Sequence, residues 1–112
     1  HGNLNSLRTL LDIRDAMEAY WLAATKGKKG EIYNICGVIK ISVKDFLDKI
    51  IKLSGIKVNT QLDKNLVRPN DIKIQIANCK KFKNDTGWLA KKNLDESINF
   101  FFKECIKQNK KS

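Results

Sequence analysis

The chain has little of what most chemistry needs. One proline (Pro69) and one histidine (His1) occur in 112 residues. A single histidine at the first position supplies neither a triad nor a metal site. Cys36, Cys79 and Cys105 are odd in number and widely spaced. They form neither a metal-ligand pair nor a disulfide framework, and a reducing cytoplasmic setting is the simpler expectation. No apolar run approaches the roughly 20 residues of a membrane span. Gly27 and Gly30 flank lysines after a helical pattern, the reverse of the strand, glycines, helix order of a dinucleotide cradle. Tyr33 lacks a lysine four residues on, where Gly37 stands, so it is not the tyrosine of a Tyr-x-x-x-Lys acid-base pair. These absences leave no catalytic residue to nominate.

Positive charge is abundant. The formal net charge is +10, and among 22 basic residues only Arg8, Arg14 and Arg68 are arginine. Lysines scattered over helix faces and loops suit a solvated surface better than a nucleic-acid reading surface, and no helix-turn-helix, zinc-finger or RNA-recognition signature accompanies them. A small basic nucleic-acid-binding module is nonetheless the alternative of another class. The length allows one domain over residues 1–112 with one modest core. Lys107, Lys110 and Lys111 mark residues 108–112 as a frayed tail.

Periodicity predicts three main helices. Ile13, Ala16, Met17, Tyr20, Trp21 and Ala24 recur at helical spacing, with Gly27 or Gly30 as the stop, which puts Tyr20 and Trp21 in the core or at its rim. Ser42 opens a second helix, with Asp45 at the reciprocal capping position, an apolar stripe of Val43, Phe46, Leu47 and Ile50, and Gly55 as its end. The third starts near Asn93 and buries Leu94, Ile98, Phe101, Phe102, Cys105 and Ile106. Phe100, Phe101 and Phe102 cannot all face one way. Asn78 is placed to cap a shorter helix ending at Gly87, after which Trp88 closes the core. Strand candidates are Glu31–Cys36, the alternation Val58, Thr60, Leu62, and the alternation Ile72, Ile74, Ile76. Strand, helix, strand order implies a small, partly parallel pairing covered by helices: an α/β fold.

The candidate binding chemistry lies in two segments. In Arg68-Pro69-Asn70-Asp71 an arginine fork can hold a diphosphate and a carboxylate can accept from a ribose hydroxyl, across a turn stiffened by proline. The same four residues also make an ordinary turn with a surface ion pair. Arg8 lies before the first helix in a loop rich in Gly, Asn and Ser, where a phosphate contact and a salt bridge to Asp12 or Asp15 are both open. Asn3 can hydrogen-bond a nucleotide or sugar, or serve a turn.

The order of landmarks carries more than any one of them: Gly2-Asn3-Leu4, Ser6-Leu7-Arg8, Asp12-Ile13-Arg14-Asp15, Gly30-Glu31-Ile32-Tyr33-Asn34, Arg68-Pro69-Asn70-Asp71, Thr86-Gly87-Trp88. It resembles the carboxy-terminal part of the extended short-chain dehydrogenases that act on nucleotide sugars, most closely GDP-mannose 4,6-dehydratase and its reductase relatives. The resemblance covers nearly the whole chain. It departs at Thr9 and Leu10, where relatives carry an acid and an aromatic. It implies a substrate-binding subdomain appended to an amino-terminal Rossmann domain that holds NAD(P) and the catalytic residues. On that expectation Arg8 and Arg68 contact the diphosphate of a nucleoside diphosphate sugar, a GDP-sugar favoured. Asp71 then takes the ribose, and Asn3 the nucleotide or sugar. The parent is expected to be a cytoplasmic homo-oligomer. A first residue that is His rather than Met, with no signal-like stretch, fits a fragment of such a parent. An epimerase or 4-keto reductase of the same group is the alternative.

Overall fold

The structure is a computed structural model that describes residues 1–111, with side chains through Lys110. It is α/β: a three-stranded mixed sheet with four helices. The elements are β1 (Leu7–Leu10), α1 (Ile13–Lys26), β2 (Ile39–Ser42), α2 (Val43–Ser54), a short 3-10 turn (Lys64–Leu66), β3 (Ile74–Gln75), α3 (Lys80–Thr86) and α4 (Leu94–Lys111). β1 is central, in the order β2-β1-β3. It pairs antiparallel with β2, Arg8 opposite Ile41, and parallel with β3, Arg8 opposite Gln75.

Local signals place most helix ends. The Ser42 side chain accepts from the Asp45 amide at 3.1 Å, and Gly55 ends α2 at φ 69°, a left-handed conformation that costs a residue without Cβ little. Gly87 ends α3 in the same way, at φ 74°. The cap of α3 is Cys79, one residue past the expected Asn78, yet the Asn78 carboxamide still takes the Lys80 amide at 2.9 Å. α4 carries on through Lys111, where a frayed tail is expected from the lysines. Ser112, the last residue of that tail, lies outside the described residues.

The core is centred on Ala19, Phe82 and Trp88, and Leu11, Leu22, Ala23, Tyr33 and Ile35 pack around it. Phe82 meets Tyr33 and Trp88 as tilted ring pairs with centroids at 5.3 and 5.7 Å. The indole N–H of Trp88 donates to the Asp15 carbonyl at 3.1 Å, so Trp88 closes the core as expected.

Several expectations fail. Tyr20 and Trp21 are 64% and 69% exposed, because α1 turns its small-residue side, Asp15, Ala19, Leu22 and Ala23, onto α3 and Trp88. Residues 31–36 form no strand: Tyr33 and Ile35 spend their apolar surface on Phe82, and both edges of β1 are already occupied by β2 and β3. The alternation at Val58, Thr60 and Leu62 likewise joins no sheet and is exposed. Of the third candidate only Ile74–Gln75 pairs. In α4, Leu94 and Ile98 are buried, but Phe101 and Ile106 face outward.

The loop before β2 passes very close to β1. A Cβ on Gly37 would lie 1.6 Å from the carbonyl oxygen of Leu10, a backbone atom that cannot swing aside. We therefore expect Gly37→Ala to destabilise the protein by about 3 kcal/mol or more, above the usual range for an added methyl group, measured by denaturant unfolding.

Asp12 links α1 to α4. Its carboxylate caps α1 through the Arg14 amide at 2.8 Å, takes two further bonds from the Arg14 guanidinium at 3.0 and 2.9 Å, and accepts from the Ser97 hydroxyl. Arg14 in turn lies 4.0 Å from the centre of the Phe100 ring. The Arg14 hydrogen bonds outweigh burial and hold the Asp12 carboxyl well below its usual pKa. A depressed folded-state pKa means a stabilisation that is fully present above the unfolded value of about 3.9 and is lost as pH falls below it. The stability difference between the native protein and Asp12→Asn should accordingly shrink as pH falls from about 5 to 2 in urea melts; a difference independent of pH would contradict this role.

Candidate functional site

Four residues nominated by the sequence lie at one end of the sheet. Arg8 is on the central strand β1 and not, as expected, in a loop ahead of the first helix. Its guanidinium meets Asp71 at 3.7 Å and donates to the Leu7 carbonyl at 3.0 Å. Neither of the expected alternatives, Asp12 or Asp15, pairs with it. Asp12 is taken by Arg14, and the buried Asp15 carboxylate accepts the Lys91 and Lys92 amides at 3.1 and 2.9 Å. The Asn3 carboxamide donates to the other Asp71 oxygen at 3.1 Å and to the Ser6 hydroxyl at 3.2 Å.

Asn3, Arg68 and Asp71 line a cleft of about 440 Å³ between the amino-terminal segment, α2 and the turn before β3. Val43, Phe46, Leu47 and Ile50 of α2 are also in its lining. The amino-terminal segment is held by backbone hydrogen bonds, the Asp63 amide to the His1 carbonyl at 2.8 Å and the Lys44 amide to the Leu4 carbonyl at 2.8 Å. Gly2 is pressed against Leu66, whose carbonyl oxygen would stand 2.6 Å from an added Cβ.

Arg68 does not pair with Asp71. It is exposed and has no carboxylate partner among the described residues, so its fork is open to an anion at the cleft. Asp71 pairs with Arg8 and Asn3 and keeps acceptor capacity for a hydroxyl. Two supports of the site are not among the nominated residues: the α2 wall of the cleft, and Ser6, which accepts from Asn3 without lining the cleft itself. The apolar wall from α2 shows in the sequence as a helical stripe and reads there as core. Ser6, 2% exposed, has its only signal in a short polar loop.

Tyr33 is structural: its hydroxyl donates to Asp85 at 2.7 Å and accepts the Lys28 amide at 2.9 Å. That bond, with Lys28 beside it, draws the Asp85 carboxyl below its usual pKa. Several lysines pair with carboxylates across the surface: Lys28 with Asp85, Lys49 with Asp95, Lys81 with Glu31 and Lys91 with Glu18. Gly27 closes the carboxy-terminal end of α1, accepting no anion there, since that end carries the negative pole. Among the described residues no group of three or more His, Cys, Asp or Glu can hold a metal ion, and no helix is long and apolar enough to cross a membrane.

A small mixed sheet flanked by helices is a fold this chain shares with solved extended short-chain dehydrogenases. The solved structure of RMD from Pseudomonas aeruginosa complexed with NADPH superimposes with a TM-score of 0.79 at 18% identity, over 88% of this chain and 32% of that one. A putative epimerase from Burkholderia cenocepacia J2315 also gives 0.79, at 29% identity over 87% of this chain and 32% of that one. The GDP-mannose 4,6-dehydratase family model matches residues 1–100, and the chain belongs to that family. A curated relative, GDP-6-deoxy-D-mannose reductase of Pseudomonas aeruginosa, is 19% identical over 97 residues. The chain spans about a third of that relative's length.

Proposed function

We propose that this chain is the substrate-binding portion of an NAD(P)-dependent nucleotide-sugar dehydratase that converts GDP-mannose to GDP-4-keto-6-deoxymannose. The observation that carries the reading is the convergence of Asn3 with Arg68 and Asp71, more than 60 residues later in the sequence, on one cleft, with Arg8 ion-paired to Asp71 from β1. Arg68 and Arg8 bind the diphosphate, Asp71 accepts from the ribose, and Asn3 holds Asp71 while reaching the nucleotide or sugar. The apolar wall of α2 excludes water behind the ligand. Fixing the sugar in this way lowers the barrier by orientation.

NAD(P) belongs to an amino-terminal Rossmann domain of the parent, together with the residues that move protons; bound there, it takes and returns a hydride. The exposed α1 face of Ile13, Met17, Tyr20 and Trp21 is the surface that domain covers. The parent works in the cytoplasm as a homo-oligomer. This chain alone should show no turnover with GDP-mannose and added NADP, and dehydration by the isolated chain would contradict the division of labour.

A 4-keto reductase is the second reading, favoured by the curated reductase relative. Substrate choice is tested by titrating GDP-mannose and UDP-glucose into the full-length protein. At least tenfold tighter binding of the GDP-sugar is expected, and a preference for the UDP-sugar would overturn the assignment. Formation of the 4-keto-6-deoxy product from GDP-mannose separates dehydratase from reductase.

A further inference from the structure

Two of the three thiols lie against one another outside the lining of the cleft. Cys36 is buried in the loop before β2, and Cys79 is half-buried at the start of α3, 43 residues later. The Cys79 thiol points at the Cys36 carbonyl, with sulfur and oxygen 3.9 Å apart, and the Cys36 thiol points at the Ala77 carbonyl at 3.7 Å. Each sulfur is thus aimed into the other's segment. Both segments are anchored independently of this contact. Gly37 is locked against Leu10, and Tyr33 and Phe82 pack ring to ring on either side.

The environment divides the labour between the sulfurs. Burial, with the Cys79 thiol as a further cause, raises the Cys36 pKa to about 11, so Cys36 stays a thiol at neutral pH and is a poor first nucleophile. Cys79 is the more accessible of the two. Cys105, the remaining thiol, is on α4 and has no thiol partner among the described residues.

We propose that Cys36 and Cys79 are a thiol–disulfide modification site, oxidised by peroxide and reopened by small dithiols. The Cys79 sulfur attacks the peroxide O–O bond, giving a sulfenic acid and one water. The Cys36 sulfur then displaces the hydroxyl, the S–S bond forms, and the second water leaves with the Cys36 proton. Two thiols and one hydrogen peroxide become one disulfide and two waters. The new bond bolts the loop that leads into β2 to the start of α3. It thereby ties together two segments that flank the Phe82 core and restricts the unfolded chain between them.

The test uses the full-length protein, fully reduced and then exposed to stoichiometric hydrogen peroxide at neutral pH. Thiol exchange is quenched in acid, free thiols are alkylated in denaturant, and tryptic peptides are mapped. Alkylation should be lost at both Cys36 and Cys79, with a linked pair of peptides, residues 30–40 and 74–80, at their summed mass less two hydrogens. Cys105 keeps its label. Dithiothreitol should restore both labels, and the oxidised protein should melt higher than the reduced one, a shift absent from Cys79→Ser. Retention of both labels, irreversible oxidation of Cys79 alone, or linkage to Cys105 as often as between the pair would each overturn the proposal. The wild-type peptide map decides it even if a variant fails to fold.

Discussion

Truncating Phe82 to alanine should cost about 3–5 kcal/mol, a large part of the 5–15 kcal/mol by which small domains are stable. Phe82 is fully buried and is the ring on which Tyr33 and Trp88 both lean, so removing it empties the centre of the core. The surrounding groups have little freedom to collapse. Trp88 is tied to the Asp15 carbonyl, and Tyr33 is held by Asp85 and Lys28. Leu89, which is 50% exposed, provides the comparison: Leu89→Ala should change stability by less than about 0.5 kcal/mol. Denaturant melts of the two variants measure the contrast, and equal effects would mean that the core is not centred where we place it.

The second large effect belongs to the cleft. Arg68→Ala and Arg8→Ala in the full-length protein should each weaken binding of the GDP-sugar by about 10- to 100-fold, the equivalent of one lost charge-assisted contact of roughly 1.5–3 kcal/mol. NADP affinity should stay unchanged, because neither residue is assigned to the cofactor. Arg68→Lys should fall between, since an ammonium keeps the charge but not the fork. Arg8→Ala also releases Asp71, but that pair is partly exposed and sits at 3.7 Å, so the stability loss should stay under about 1 kcal/mol. Calorimetric titration separates the two quantities.

Sequence and structure agree where the determining physics is local. Ser42, Gly55 and Gly87 mark helix ends because a cap needs only neighbours within a few residues. The Leu94 and Ile98 repeat shows the inner face of α4 for the same reason. β1 was not legible. Leu7-Arg8-Thr9-Leu10 has no alternation, and its strand conformation depends on partners at Ile39–Ser42 and Ile74–Gln75. Residues 31–36 have strand composition, but their apolar side chains serve the core from an irregular backbone.

α1 misleads by having two apolar sides. Periodicity weights the large residues Met17, Tyr20 and Trp21, whereas close packing against α3 selects Ala19, Leu22 and Ala23. At the site, Arg68 and Asp71 form a motif in the sequence and line one cleft in the structure. The partner of Asp71 was not legible, since Arg8 reaches it only through the parallel pairing of β1 with β3. The α2 stripe is plain in the sequence, but a period cannot distinguish a core-facing wall from a cleft-facing one.

The most direct test of the central claim is hydrogen exchange on the full-length protein with and without saturating GDP-mannose, NADP being present in both. The account predicts slower amide exchange at residues 2–8 and 66–72 on adding the sugar nucleotide, with the outer face of α1 unchanged. Unaltered exchange in both segments, with protection confined to other parts of the polypeptide, would contradict the placement of the substrate in this cleft.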